Sequence, residues 1–578
     1  MPNMASRIER DSAVHDLELQ HVSAPAERTT QPPSAASKMG QATQVPHVNR
    51  SQDITDQTSR LPFGRLILAY LCLAAIYFIQ TLDINSVATA LPAISQSLNA
   101  GTSITWTGTA YLMGQAASQA LYGRLSDIFG RKPVLMACIS FLVFGDILCG
   151  FAQNIIWLYI CRGLSGIGGG GISSLVQITV SDLVSLKDRG KYQGMLSAAI
   201  GLGASTGPFI AASMIERDGE KGWRWIFWVP PILAVACMVA MWVLLPLKPV
   251  TGSWREKIRM IDWFGLFAIV AAIMLLMTPI NSGGSLWPWN SAQVIAMLVV
   301  GAVLVVAFAV IEKRVARIPI IPLRLFTNIP TAVLLIQGAL YDFAWQVDLY
   351  FLPSYFQDVR GYSPHKSATL ILPLLLVQSA AGVVSGPLMT KLARYGPVLY
   401  SGMALWVLGA GLKIIFSRTT PVAVYVVALI IEGIGIGFVH QPALVALQAL
   451  SKPEDRAVAT STRNLFRMLG SVAGMAISTA VQFSVITSSL GSVPDEVRAR
   501  VSEGTWRVGL PELGSWDNAV LDAKMKGIRA VFTILVPLVG LCLISCWWIP
   551  NAVLKGDEPP PQQERPQPED SKAMAKSA

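Results

Sequence analysis

Charge is scarce in this chain: only 14% of its 578 residues are Asp, Glu, Lys or Arg, against 52% hydrophobic residues and a mean hydropathy of +0.50. A water-soluble domain of this length has too little interior to hide that much apolar surface, which excludes a soluble fold. Cysteine is equally sparse. The seven (Cys72, Cys138, Cys149, Cys161, Cys237, Cys542, Cys546) stand singly without metal-ligand spacing, and read as small apolar packing residues. Of five histidines, His15, His21 and His47 fall near the N-terminus, so no His cluster or Ser-His-Asp set presents itself. No Gly-x-x-x-x-Gly-Lys-Ser/Thr phosphate loop occurs, and no polar stretch is long enough for a nucleotide-binding domain. An enzyme, an ATP-driven pump and a resident metal or cofactor are therefore not expected.

What the chain does have is length of apolar sequence. A bilayer-spanning helix needs about 20 mostly apolar residues. Runs of that kind fall near 66–92, 104–124, 133–152, 155–182, 190–215, 223–247, 263–281, 292–312, 330–356, 367–390, 397–416, 421–447, 457–487 and 526–550. These fourteen runs predict an all-α membrane protein. The loops after the even-numbered spans hold most of the Lys and Arg, so both termini are expected in the cytoplasm. The net charge of +10 is then a topology signal and a match to anionic lipid, with no role in nucleic-acid binding. Residues 1–64 and 551–578 are too polar to fold alone and are expected to be disordered cytoplasmic tails. Met1 is not followed by a basic stretch and a short apolar core, so the first span is expected to direct insertion. The sequon Asn49-Arg50-Ser51 would be silent on the cytoplasmic side.

Several spans carry ionisable residues, each costing about 2.5–3.5 kcal/mol at mid-bilayer, so they mark a cavity or a buried partner. They are Asp83, Asp146, Arg162, Asp342, Asp348 and Glu432. Gly123 to Lys132 is a dense charged turn between the second and third spans. In the fifth span, Gly203 and Gly207 stand four apart ahead of Pro208, a spacing that lets helices approach closely and bends the chain.

The stretch Gly123-Arg124-Leu125-Ser126-Asp127-Ile128-Phe129-Gly130-Arg131-Lys132 resembles the signature between helices 2 and 3 of the major facilitator superfamily, and matches it at every defining position. Leu82-Asp83-Ile84-Asn85 with Ala90-Leu91-Pro92 resembles the helix 1 motif of the fourteen-helix drug:proton antiporters, with Asn85 where Thr is usual. Arg162-Gly163-Leu164-Ser165-Gly166 is similar to the family's Arg-x-x-Gln-Gly, and Gly194, Gly203, Gly207 and Pro208 keep the antiporter spacing, closed by Ala211-Ala212 in place of Gly-Gly. Trp223-Arg224-Trp225-Ile226-Phe227 and Gly433-Ile434-Gly435-Ile436-Gly437 also look like this family.

The resemblance covers 65 to 550. It implies a major facilitator fold of two six-helix halves, 65–247 and 325–550, with two further helices inserted in 248–324. It further implies a monomer that exchanges protons for small amphipathic molecules by alternating access. Within it, Gly123, Arg124, Asp127, Gly130, Arg131 and Lys132 gate the cytoplasmic side, with Asp127 docked at the start of the thirteenth helix. Arg162 takes part in proton coupling and Asp83 carries the proton, with Asp146 or Glu432 as alternative carriers. Gly194, Gly203, Gly207 and Pro208 form the antiporter motif. A largely apolar cavity is expected, lined by Asn85, Tyr111, Gln115, Gln119, Trp345, Gln346, Tyr350, Gln357 and Gln441.

The polar N-terminal stretch and the loops look fungal, where such proteins export natural products and drugs across the plasma membrane. The rival readings are a vacuolar carrier of basic amino acids and a non-transporting sensor built on a carrier scaffold.

Overall fold

The computed structural model describes residues 62–554 apart from 101–102, 105, 219–220, 246–252, 284–286, 317, 492 and 503–515. Most of the two expected tails and the Asn49 sequon lie outside the described residues. Fourteen long helices follow one another: α1 (Phe63–Leu98), α2 (Trp106–Phe129), α3 (Arg131–Gly150), α4 (Ile155–Leu183), α5 (Leu186–Asp218), α6 (Trp223–Leu244), α7 (Trp263–Ser282), α8 (Ala292–Arg314), α9 (Ile329–Ser354), α10 (Pro364–Leu392), α11 (Gly396–Lys413), α12 (Val422–Leu450), α13 (Arg456–Ser489) and α14 (Asp517–Ser545). By length and apolar composition alone, eleven are fit to cross a membrane; α2, α9 and α11 fall outside that set.

Local chemistry sets several starts. Asn154, Asp262, Ser291 and Ser363 each turn a side-chain oxygen onto a backbone N–H three residues on, satisfying a donor that the first turn leaves free. The expected charged turn between α2 and α3 is much shorter than the sequence implied. Gly123–Phe129 is helical, and only Gly130, at φ 99°, breaks the chain before α3. A residue with a Cβ is strained at that angle. Pro353 falls at the end of α9, which continues as a π turn over Tyr355–Val359.

The packing repeats itself. In the first six helices α4 lies against α2 and α3, and α1 against α5 and α6; in the last six α12 lies against α10 and α11, and α9 against α13 and α14. Glycines make the equivalent contacts possible: a Cβ on Gly166 would stand 2.1 Å from Tyr111 O, and one on Gly433 2.9 Å from Leu374 O. Each half has its own apolar core. The halves meet along α2–α13 and α5–α10, while α7 and α8 pair with each other and α7 rests on α2 and α13. The α8 surface is largely exposed and apolar (Val299, Val303 and Val306), as a lipid-facing helix requires.

Candidate transport site

At the end of the bundle bearing the α2–α3 turn, here the near end, the two halves are pinned together. Gly123 sits so tightly on α13 that a Cβ would lie 2.9 Å from Val458 Cα. Arg124 donates from Nε to Pro319 O (2.7 Å), and its Nη2 lies 3.5 Å from Asp455 Oδ1, just ahead of α13. Arg131 donates to Asp127 (2.7 Å), Asp182 (2.8 Å) and Ser126 (2.5 Å). Asp127 thus shares Arg131 and, at 3.6 Å, Arg124, while Gly123 and Arg124 make the reported approaches to the start of α13. Lys132 turns outward to the carbonyls of Trp242 and Leu245.

On the α5–α10 side Gly194 stands against Gly382 and Gly386. Further along α5, Gly203 and Gly207 press on α1 at Phe78 and Leu82, with Pro208 following.

Above this closure lies a cavity of about 180 Å³ between the halves. Most of the residues lining it are polar: Gln80 and Thr81 from α1, Gln115 and Gln119 from α2, Ser173 from α4, Asp342 from α9, and Asn464 and Arg467 from α13. Tyr77, Ile200 and Met468 complete it. The largely apolar lining expected from sequence is met in part: apolar atoms, with Tyr77, Ile200 and Met468 among the side chains, make about half of the wall surface, and amides and charges make the rest. Arg467 is held by Asp342 (2.8 and 2.9 Å). Behind it Arg463, 1% exposed, donates to Tyr341 Oη (2.7 Å), His440 O (2.7 Å) and Asn464 Oδ1 (3.4 Å), and its Nε meets no acceptor. Among the described residues no carboxylate pairs with Arg463, so this region holds two guanidiniums against one carboxylate.

Beside the cavity, inside the first half, Arg162 of α4 faces two acids. Its Nη1 lies 3.1 Å from both oxygens of Asp83 and 3.3 Å from Asp146 Oδ1, which also accepts from Ser165 Oγ at 2.6 Å. Both acids are 0% exposed. Two carboxylates share one cation, so the cluster is neutral only if it also holds a proton. The Arg162 guanidinium stacks on Tyr111 (4.4 Å) and Phe227 (5.5 Å), and Tyr111 Oη accepts from Gln80 in the cavity wall (3.3 Å).

Asp348 and Glu432 lie apart from this cluster. Both bond Lys413 of α11 in a second buried group, Glu432 at 2.7 Å, and all three side chains are 0% exposed.

Of the expected lining, Gln115 and Gln119 face the cavity, and Tyr111 stands one hydrogen bond behind it. Gln441 bridges the halves to Ser197 (3.3 Å). Asn85 bonds back to Thr81 O (2.8 Å), Trp345 packs on His440, and Gln346 is half-buried. Tyr350 lines a separate groove between α9, α13 and α14, and Gln357 is exposed in the π turn, bonded to Ser367. These last two are corrected: Tyr350 near the end of α9 and Gln357 in the π turn beyond it stand at the end remote from the α2–α3 turn, away from the cavity. Gln80, Lys413, Arg463 and Arg467 went unread in the sequence. The signal was there, since Lys413 interrupts an apolar span and Arg463 and Arg467 are spaced i, i+4 on one helix face.

The family model of the Major Facilitator Superfamily matches residues 73–475. Citrate exporter 1 of Yarrowia lipolytica is 39% identical over 511 residues, 88% of this chain and 75% of its own length. The MFS-type transporter clz4 of Cochliobolus lunatus is 35% identical over 444 residues (77% of this chain, 79% of its own), and the efflux pump dotC of Dothistroma septosporum is 35% identical over 407 (70% of each). Among solved structures, the proton:xylose symporter XylE superimposes with a TM-score of 0.55 at 15% identity, over 85% of this chain and 98% of that one. That likeness speaks for the fold alone. A family model spanning most of the membrane helices, and relatives that match most of the chain, make this protein a member of the Major Facilitator Superfamily, a membrane transporter of small molecules and not an enzyme.

Proposed function

We propose that this chain is a proton-coupled exporter of small organic anions, carboxylates first among them, working as an antiporter in a fungal plasma membrane. The observation that carries the cargo class is the charge at the cavity: Arg467 in its wall pairs with Asp342, Arg463 behind it pairs with no carboxylate among the described residues, and a buried cation in excess calls for an anionic partner. The name of the Yarrowia relative, a citrate exporter, agrees with that class. The same excess opposes the vacuolar reading, because arginine or lysine would meet like charge. Efflux of bulkier amphipathic molecules is the second reading, favoured by the relative called an efflux pump and by the apolar share of the wall, but the surplus of cationic charge speaks against it.

Coupling rests on Asp83, Asp146 and Arg162. A proton entering from outside neutralises one acid, and Tyr111 and Gln80 join that change to the cavity wall. The loop charges make the near end cytoplasmic with both termini inside. On that orientation Gly123 through Lys132 close the inner path, and α5 packs through Gly194, Gly203, Gly207 and Pro208 as a rigid seal that rocks with its half. The working unit is a single chain.

The test uses proteoliposomes loaded with labelled citrate. Acid outside should accelerate efflux several-fold, an uncoupler should abolish the gain, and Arg467→Gln should weaken citrate binding about tenfold or more, as loss of a charge-assisted contact of about 1.5–3 kcal/mol implies. Citrate efflux equal to that of empty-protein controls, with a lipophilic cation carried instead, refutes the anion reading.

A further inference from the structure

Asp348, Lys413 and Glu432 lie within the second half, outside the cavity wall. The Lys413 ammonium bonds both carboxylates, and Phe532 of α14 stands 5.4 Å from it. The composition parallels the first half's cluster: two acids, one cation and a phenyl ring, the ring there being Phe227 of α6, with Tyr111 of α2 as a second ring that this cluster lacks among the described contacts. The correspondence extends to the helices that supply the groups. α1 and α9 each supply an acid, α6 and α14 each supply the ring, and the remaining acid and cation come from α3 and α4 in one half and from α11 and α12 in the other. The last two have exchanged helices: the acid of α3 (Asp146) and the cation of α4 (Arg162) are answered by a cation on α11 (Lys413) and an acid on α12 (Glu432). Gly145 seats on Ser165 and Gly409 on Glu432, and within that frame Lys413 and Glu432 stand about one turn along from the places of Asp146 and Arg162.

A structural ion pair needs one acid for one base. Here the second acid is as deeply buried as the first, and a net charge of −1 at 0% exposure carries a desolvation cost that a proton removes. The oxygens agree with that count. Asp348 Oδ2 and Glu432 Oε2 are buried and accept no hydrogen bond, so each is free to carry the proton. From this we infer that Asp348, Lys413 and Glu432 form a second proton-binding site, separate from the Asp83 cluster. Loading forms one O–H bond on a carboxylate with a proton taken from water. Release returns that proton to water and leaves the 2:1 cluster charged.

Among the described residues no further charge is in direct contact with the three. α9 presents Asp348, α11 Lys413, α12 Glu432, and α14 the Phe532 ring. Arg529 of α14 is occupied by Phe416 O (3.0 Å), and the Tyr355 and Tyr425 hydroxyls bond each other (2.9 Å), with Tyr355 donating to Ser417 O (2.7 Å).

The inference rests on the proton-coupled reading, yet its test requires no cargo. Infrared difference spectra between acid and alkaline pH are recorded on the full chain in lipid nanodiscs for wild type, Asp83→Asn, Glu432→Gln and Asp348→Asn. Glu432→Gln and Asp348→Asn each leave one acid facing one amine, a neutral pair that holds no extra proton. Each is expected to lose a titrating protonated-carboxyl band that Asp83→Asn keeps; having two such variants guards against one failing to fold. Spectra of both that superimpose on wild type overturn the second site. If Asp83→Asn alone leaves the spectrum unchanged, the first cluster's role falls while this site stands.

Discussion

Replacing Arg162 by Gln removes the cation that Asp83 and Asp146 share, and strands two carboxylates at 0% exposure. Removing one partner of a buried pair costs about 3–5 kcal/mol. Asp83→Asn is the milder change, because Asp146 still faces Arg162 at 3.3 Å and still accepts from Ser165 at 2.6 Å. Its loss is that of charge-assisted hydrogen bonds, about 1.5–3 kcal/mol, offset by no longer needing a proton to reach neutrality. The expected order of thermal stability is therefore wild type, then Asp83→Asn, then Arg162→Gln, with roughly 2 kcal/mol between the two variants. Acid adds a second signature. Protons supplied to the stranded carboxylates remove their charge, so Arg162→Gln should regain stability as pH falls from 7 to 5, while Asp83→Asn should change little. Melting of detergent-solubilised protein, followed by fluorescence-detected size exclusion at both pH values, reads the order directly. Two variants melting together, or no recovery of Arg162→Gln in acid, would refute the shared-cation reasoning.

Other expectations follow from close contacts. Gly166→Val places a side chain where even a Cβ would be 2.1 Å from Tyr111 O, and overpacking of this kind costs about 1–3 kcal/mol or more. Gly540→Ala, with nothing within 4 Å of its Cβ, is the matched control; equal melting of the two variants contradicts the packing assignment. Arg124→Ala removes the ion pair to Asp455 and the bond to Pro319 at the near end. Spin labels on α2 and α13 flanking Gly123 and Val458 should then report longer distances, and an unchanged distribution counts against that cluster as a clasp.

Much of the membrane architecture follows from one-dimensional information. Apolar length, about 20 residues to a span, registers whatever the tertiary contacts, and every one of the fourteen runs coincides with a helix. The α2–α3 signature was legible because its glycines and charges are adjacent in sequence. Its shape was not, since only the left-handed backbone of Gly130 reveals that the turn is one residue long. The weak likeness between the halves hid a strong one. Gly166 and Gly433 make equivalent contacts, and so do Asp83 and Asp348, yet the cation of each cluster comes from a different helix, which defeats alignment by position.

The sequence by itself determined the solvent, the helix count and the family likeness, because these depend on composition and on motifs read along the chain. Only the tertiary structure decided which charges meet. Asp83 and Arg162 stand 79 positions apart, and the faces that bring Gln80, Asp342 and Arg467 to one cavity are set by how the helices rotate as their glycines and side chains pack. Side-chain charge is a property of each residue, but pairing it inside a membrane is a property of the fold, since burial leaves an ion no other partner.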